Sequence, residues 1–382
     1  MKRVLLLALA LTGCGARSEI GQGLTSTSCT AAAPICVQSA PNACDAPAVV
    51  KASCDESAKQ WVCPSGASVY ERAADSTGIC RPFHATPGLA SVGAWGLGGV
   101  ARVPTDDGRC LWIADGVAFE PDLAAPFGTC PETSVMPPTP IVTIEGGDEG
   151  GALHAQIDDG YRLGGVTHVL YRLFRDDPSA AFGVVELGGG VGRWDPVTQR
   201  VIVHGPAAFP WGLDLDLGDA SLVADGSHAF VWGCAQPGPT LLDGCELARL
   251  DENDSVELFG ANGSWLPTTD ASQGATVFFS GPWTSSVVGA DGGLRHLYIS
   301  GFGDRIQTQV SSIATGPWTD GADVAACDLP ADPKSFCAGP IAHPELADPT
   351  RPNELPVSYS VGTTSGTPLS ADDGWTRLIW AE

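Results

Sequence analysis

The acidic side chains and histidines whose spacing could support chemistry fall at three places in the 382-residue chain. Asp214, Asp216 and Asp219 lie in the segment WGLDLDLGDAS. Residues two apart on a strand share a face, so Asp214 and Asp216 would stand side by side. Such a pair could bind calcium or bracket a sugar; the plainer alternative is a solvated strand edge. His343-Pro344-Glu345 sets an imidazole and a carboxylate on either side of a proline. That pair could line a site, or a structural histidine could precede a strand with Glu345 in water. Asp115 is followed by Gly116, which fits a turn as well as a functional acid. Motifs for other chemistries are missing: no His-Glu-x-x-His, no Gly-x-Ser-x-Gly and no phosphate loop occurs. Gly188-Gly189-Gly190-Val191-Gly192 leads into Arg193-Trp194-Asp195-Pro196, read as a turn and not a helix start, so a dinucleotide site is not expected there.

The elements that would hold these residues are strands. From about Pro87 onward, short apolar runs alternate with Gly, Pro and Asp turns, without sustained helical periodicity. Predicted strands include Cys110 to Ala114, Val166 to Phe174, Arg200 to His204, Ala229 to Gly233, Leu294 to Ser300 and Pro356 to Tyr359. Asp107-Gly108, Asp225-Gly226 and Asp291-Gly292-Gly293 supply tight-turn signals. Gly-Pro-Trp recurs at Gly281 and Gly316. With 48 Gly and 30 Pro, turns outweigh long helices. A sandwich pair or a propeller of four-stranded blades fits residues 88–382, and at about 45–60 residues per blade the count is five. The proline-rich stretch Pro131 to Pro140 reads as a crossing between blades. Most of the 11 Trp should pack between blades.

The 13 cysteines divide unevenly. Cys29, Cys36, Cys44, Cys54, Cys63 and Cys80 crowd into a stretch without Cys-x-x-Cys, which reads as a disulfide-stapled module over residues 29–85 and not as a zinc site. Its pairing is left open by the sequence. Cys110 with Cys130, Cys234 with Cys245, and Cys327 with Cys337 are expected as local bridges, each contributing about 2–3 kcal/mol.

The remaining cysteine, Cys14, ends a cationic and apolar leader that begins Met1-Lys2-Arg3 and runs through Val4 to Leu11. The apolar run is too short to span a bilayer and reads as a secretory signal. Leu11-Thr12-Gly13-Cys14 resembles the bacterial lipobox, which implies a signal peptide over residues 1–13, lipidation of Cys14, and a polar tether over residues 14–28. Gly15 after the cysteine favours the outer membrane. The formal charge of -24 and the pI near 4.4 argue against nucleic acid as a partner, because phosphate contacts need clustered Lys and Arg.

Asp107-Gly108-Arg109-Cys110-Leu111-Trp112-Ile113-Ala114-Asp115 opens a series that continues with Val231-Trp232-Gly233-Cys234 and Cys245-Glu246-Leu247-Ala248-Arg249. Thr315-Gly316-Pro317-Trp318, Ala342-His343-Pro344-Glu345-Leu346 and Val357-Ser358-Tyr359 complete it. In this order they resemble the bacterial secreted family known as domain of unknown function 4185, over residues 88–382. That family resembles the five-bladed propellers of glycoside hydrolase family 43 and levansucrase-type enzymes. The implied fold is all-β, a five-bladed β-propeller preceded by a small disulfide-rich N-terminal module. The resemblance implies catalytic candidates Asp115, Asp219 and Glu345, with His343 and Ser286 as binding candidates. His343 and Glu345 are expected to face the channel. Two departures weaken hydrolysis. The first inner strand, placed near Ser91 to Val103, has no acid, and Ser285-Ser286 stands where an acidic Glu would be needed on the fourth. The expectation is a monomeric envelope lipoprotein, lipid-anchored at the outer membrane, that binds a glycan or is a degenerate hydrolase. No cofactor is implied, calcium excepted. The alternative is a non-enzymatic scaffold for another envelope protein.

Overall fold

A computed structural model describes residues 28–40, 43–72, 79–84, 100–114, 116–136, 141–146, 152–180, 184–205, 220–223, 226–235, 243–253, 255–267, 270–281, 284–290, 292–364 and 375–381. The described residues carry strands and short 3-10 turns but no α-helix. They form two compact units: Met1–Gln38 with Val49–Tyr70, and Ser39–Ala48 with Glu71–Glu382.

In the smaller unit, Ile35–Gln38 pairs antiparallel with Ala67–Val69, and Ser53–Asp55 with Gln60–Val62. Bridges Cys29–Cys54 and Cys36–Cys63 staple it. A unit of this size buries little core, so covalent closure takes over part of the stabilisation.

The larger unit is a five-bladed propeller. Blade one comprises Ala101–Pro104, Cys110–Ala114, Val117–Pro121 and Thr133–Val135 from inside outward. Blade two runs Leu153–Leu163, Val166–Asp176, Val184–Asp195 and Arg200–His204, with Val142–Glu145 added in parallel at the outer edge. Blade three starts at Ala220–Val223 and continues through Ala229–Ala235 and Asp243–Leu250 to Val256–Phe259 and Trp265–Leu266. Thr276–Ser280 also pairs with Asp243–Leu250. Blade four is Ser286–Ala290, Gly293–Tyr298, Arg305–Ser311 and Ala322–Ala326. Blade five is Ser335–Ala342, Leu355–Thr363 and Trp375–Ala381, completed by Ile79–His84 from the other end of the chain. The hairpin glycines Gly108, Gly226 and Gly292 sit at φ of 83, 75 and 78°, a region that glycine enters at no steric cost.

The apolar clusters lie between blades. Val103, Leu111, Tyr171 and Trp194 join blades one and two, while Trp232, Phe278 and Val287 join three and four. Trp112, Val100, Leu378 and the half-cystines Cys44, Cys80 and Cys110 join five and one. Each blade thus buries both faces against its neighbours, which strand alternation alone permits.

Several sequence expectations change here. No Cys110–Cys130 bridge forms: Cys110 pairs with Cys44 and Cys130 with Cys80. The reason is that the strand holding Cys80 belongs to blade five, beside blade one, and not to the cysteine-rich module in which residues 29–85 placed it. Cys234–Cys245 and Cys327–Cys337 close local loops. Thr133–Val135, within the supposed crossing at Pro131 to Pro140, is the outer strand of blade one. Gly188 to Gly192 lies inside the strand Val184–Asp195, which also takes in Arg193 to Asp195 of the expected turn, so that the turn begins only at Pro196. Glycine is required there because a Cβ on Gly190 would stand 2.7 Å from the Tyr171 hydroxyl oxygen. That hydroxyl donates to the His204 carbonyl at 2.9 Å.

Candidate functional site

Two buried polar clusters occupy the middle of the propeller. The first is built on a β-bulge. In blade two Ile157 faces Tyr171 and Asp159 faces Leu170, so Asp158 is the extra residue without a cross-strand partner. A bulge re-aims the side chain that it frees. Asp158 accepts from Arg172 Nε at 3.0 Å and Nη2 at 3.1 Å, from Thr284 Oγ1 at 2.8 Å and from Gln156 Nε2 at 2.8 Å. Thr284 stands two residues before the inner strand of blade four, so this carboxylate links the inner strand of blade two to the entry of blade four. Asp159, the next residue, turns instead to Arg102 of blade one at 3.4 Å. Gly160 allows the two inner strands this approach, since a Cβ would meet the Arg102 carbonyl oxygen at 2.9 Å.

The second cluster stands at the seam of blades five and one. His343 Nδ1 lies 2.8 Å from Glu345 Oε1, and its Nε2 lies 2.7 Å from Ser358 Oγ. Trp112 Nε1–H donates to Glu345 Oε1 at 2.8 Å, and the Val100 N–H donates to Ser358 Oγ at 2.9 Å. All donors are satisfied when Nδ1–H donates to Glu345 and the Ser358 hydroxyl donates to Nε2. His343 packs on Trp112 with ring centroids 4.5 Å apart. A serine, a histidine and an acid in this order have the connectivity of a nucleophile and its base. Ser358 and His343 are fully buried, however, and their hydrogen bonds end on backbone and indole. The chain of contacts is a clasp between blades, closed to any substrate.

Three further ionisable groups stand out. Burial pushes the Asp243 carboxyl up to about 6. Burial also drives His296 down to about 3, consistent with its stacking on Tyr298 and its tilted packing on Phe278. Asp45, next to the half-cystine Cys44, is raised by burial; Arg102 opposes this and the like charge of Glu345 adds to it.

The sequence candidates therefore separate. Asp115, Asp219, Asp214, Asp216 and Cys14 lie outside the described residues. Glu345 and His343 meet, but in a buried clasp and not facing an open channel. Ser286 is buried, and its Oγ accepts from the Ala342 N–H at 3.2 Å, one residue before His343. Asp158, Asp159, Arg102, Arg172, Trp112 and Ser358 complete the two clusters, and sequence reasoning did not single them out as site residues. The one available signal was Asp158-Asp159-Gly160, two acids and a glycine inside a strand-length segment. Among the described residues no group of three or more His, Cys, Asp or Glu is arranged to hold a metal ion.

No protein-family model matches the sequence, and no curated protein does. Among solved structures, a candidate hydrolase from Bacteroides ovatus matches with a TM-score of 0.53 and 14% identity, over 75% of this chain and 86% of that one. A GH43_1 enzyme from Xanthomonas citri matches with a TM-score of 0.42 and 15% identity, over 77% and 91%. RS223-Beta-xylosidase matches with a TM-score of 0.43 and 11% identity, over 74% and 91%. At such identities the first of these speaks for a shared fold alone.

Proposed function

We propose that this chain is a lipid-anchored envelope protein whose propeller binds glycan without cleaving it. The observation that carries the reading is the state of the central acids. Asp158, Asp159 and Glu345 are buried, and each is engaged by protein donors. Glycoside hydrolysis needs a protonated acid and an ionised partner flanking the bond, about 5–10 Å apart. Asp243 has the raised pKa of an acid, but burial is its sole cause and no charged group acts on it. Fold-level likeness supports a glycan as the ligand class and supports nothing finer.

The test is a glycan array run beside a hydrolysis screen on the same glycans. Binding with no released reducing sugar is expected, unchanged in Asp115→Asn. Hydrolysis that Asp115→Asn or Asp219→Asn abolishes would overturn the proposal. Silence on every glycan would favour the protein scaffold instead. The anchor is tested separately: mass spectrometry of the mature N-terminus should find acyl mass on Cys14, and an unmodified terminus would remove that part.

A further inference from the structure

The asparagines of the chain are Asn42, Asn253, Asn262 and Asn353, and Asn262 alone is followed by glycine. Asn262-Gly263 sits at the tip of the blade-three hairpin that joins Val256–Phe259 to Trp265–Leu266. Ala261, Asn262, Gly263 and Ser264 are all exposed, so water reaches the whole tip. Asparagine before glycine can modify itself without an enzyme: the next backbone nitrogen attacks the side-chain amide carbon, and glycine has no side chain to obstruct it. The space above Gly263 is open, with no atom within 4 Å of a Cβ built there.

The turn prepares this attack. Asn262 Oδ1 accepts the Ser264 N–H at 3.0 Å and the Ser264 Oγ–H at 2.6 Å. That oxygen gathers negative charge when a nucleophile adds to Cγ, and two donors already aimed at it stabilise the addition. One contact opposes the reaction. The Gly263 N–H, whose nitrogen is the nucleophile, donates to the Gly260 carbonyl at 2.8 Å. The bond lies in an exposed turn beside a strand of only two residues, where local opening costs little free energy. It slows the attack without preventing it.

We propose that Asn262 is a self-modification site of the folded protein, converted by water to aspartate and isoaspartate. Gly263 N bonds to Asn262 Cγ and gives up its proton, the bond from Cγ to the side-chain nitrogen breaks, and ammonia leaves. Water then opens the cyclic imide at either carbonyl. The chain gains one negative charge. Opening toward isoaspartate also inserts one more carbon into the backbone of the turn. The bond from Gly260 N–H to the Ser264 carbonyl, 2.9 Å in the unmodified hairpin, should not survive this lengthening. The site stands apart from the axis and does not depend on the glycan reading.

Peptide mapping by mass spectrometry tests it on the full chain, incubated folded at mildly alkaline pH beside the same protein unfolded in urea. Conversion of amide to acid at Asn262 is expected in the folded sample, no more than about tenfold slower than in urea, since one backbone hydrogen bond supplies about that factor. Asn253 and Asn353 should stay intact over the same interval. Isomerisation at Asp-Gly pairs leaves the mass unchanged and so does not enter the count. In the isoaspartate fraction, amide exchange at Gly260 should quicken, and unchanged exchange would refute the loosened turn. Asn262 intact in the folded sample once the unfolded one has converted would overturn the site. Equal conversion at Asn253 and Asn353 in the folded sample would overturn it too, because the turn would then confer nothing.

Discussion

At the scale of single residues, the axis is held by charges that must stay paired. Asp158 is fully buried, and its four hydrogen bonds come from three side chains on blades two and four. Removing one partner of a buried ion pair leaves an uncompensated charge, which costs about 3–5 kcal/mol. Arg172→Leu should therefore lower the urea unfolding free energy by that much, and Asp158→Asn in the same chain should recover part of it. A loss below about 1 kcal/mol would mean that the pair carries little. Asp243 predicts the opposite sign. Its carboxyl is held at about 6 in the fold against an ordinary 3.8, so the folded state prefers the protonated form. The resulting penalty is absent below about pH 3.8, grows through the interval, and is complete above about pH 6. Asp243→Asn should stabilise the protein at neutral pH by up to about 3 kcal/mol and change little near pH 4. A melting temperature that shifts equally at both pH values would contradict this. Neither residue was prominent in the sequence. Asp158 gains its role from a bulge, and a bulge adds no distinctive residue type to a strand pattern. His343 and Glu345 were legible as a pair because the intervening proline marks a turn. Their burial was not, since it depends on Trp112 and Ser358, which are distant in sequence.

Among elements, the strand Ile79–His84 has the largest consequence. It pairs with Trp375–Ala381 and gives blade five its outer edge, so the two ends of the propeller chain close the ring. Cys80–Cys130 then fastens this strand to blade one, across a separation of 50 residues. In the chain-entropy account a loop of that length contributes about 4 kcal/mol, against about 3 for the short Cys234–Cys245 loop. The paired change Cys80→Ala with Cys130→Ala should accordingly lower the melting temperature more than Cys234→Ala with Cys245→Ala does. The reverse order, read by calorimetry, would show that closure does not rest on this bridge. Deleting residues 79–84 should leave Trp375–Ala381 as an open edge and give a protein that self-associates on size exclusion. Strand positions are legible in the residue pattern itself: Cys110–Ala114 and Arg200–His204 fall where short apolar runs and their flanking turns place them. The cysteine partners of blade one are not legible in this way. Spacing along the chain favours Cys110 with Cys130, whereas ring closure brings Cys44 and Cys80 to them.

For the whole molecule, composition and architecture meet in the charge. Forty-four acidic and 20 basic residues give -24. Inside the propeller, Arg172, Arg102 and Arg72 face Asp158, Asp159, Asp348 and Glu354, so these internal charges nearly cancel. The acidic excess is consequently carried by the rest of the chain. Like charges spread over a compact body repel one another and weaken it, while the internal pairs, shielded from solvent, respond little to added salt. Raising sodium chloride from about 0.01 M to about 0.15 M shortens the screening length from about 30 Å to about 8 Å. Over that range the melting temperature should rise, and it should rise by the same amount in Arg172→Leu, because the buried pair is not what salt screens. A melting temperature that falls with salt would show that surface attraction, and not repulsion, governs this protein. A rise confined to the parent chain would place the salt effect on the axis instead of the surface.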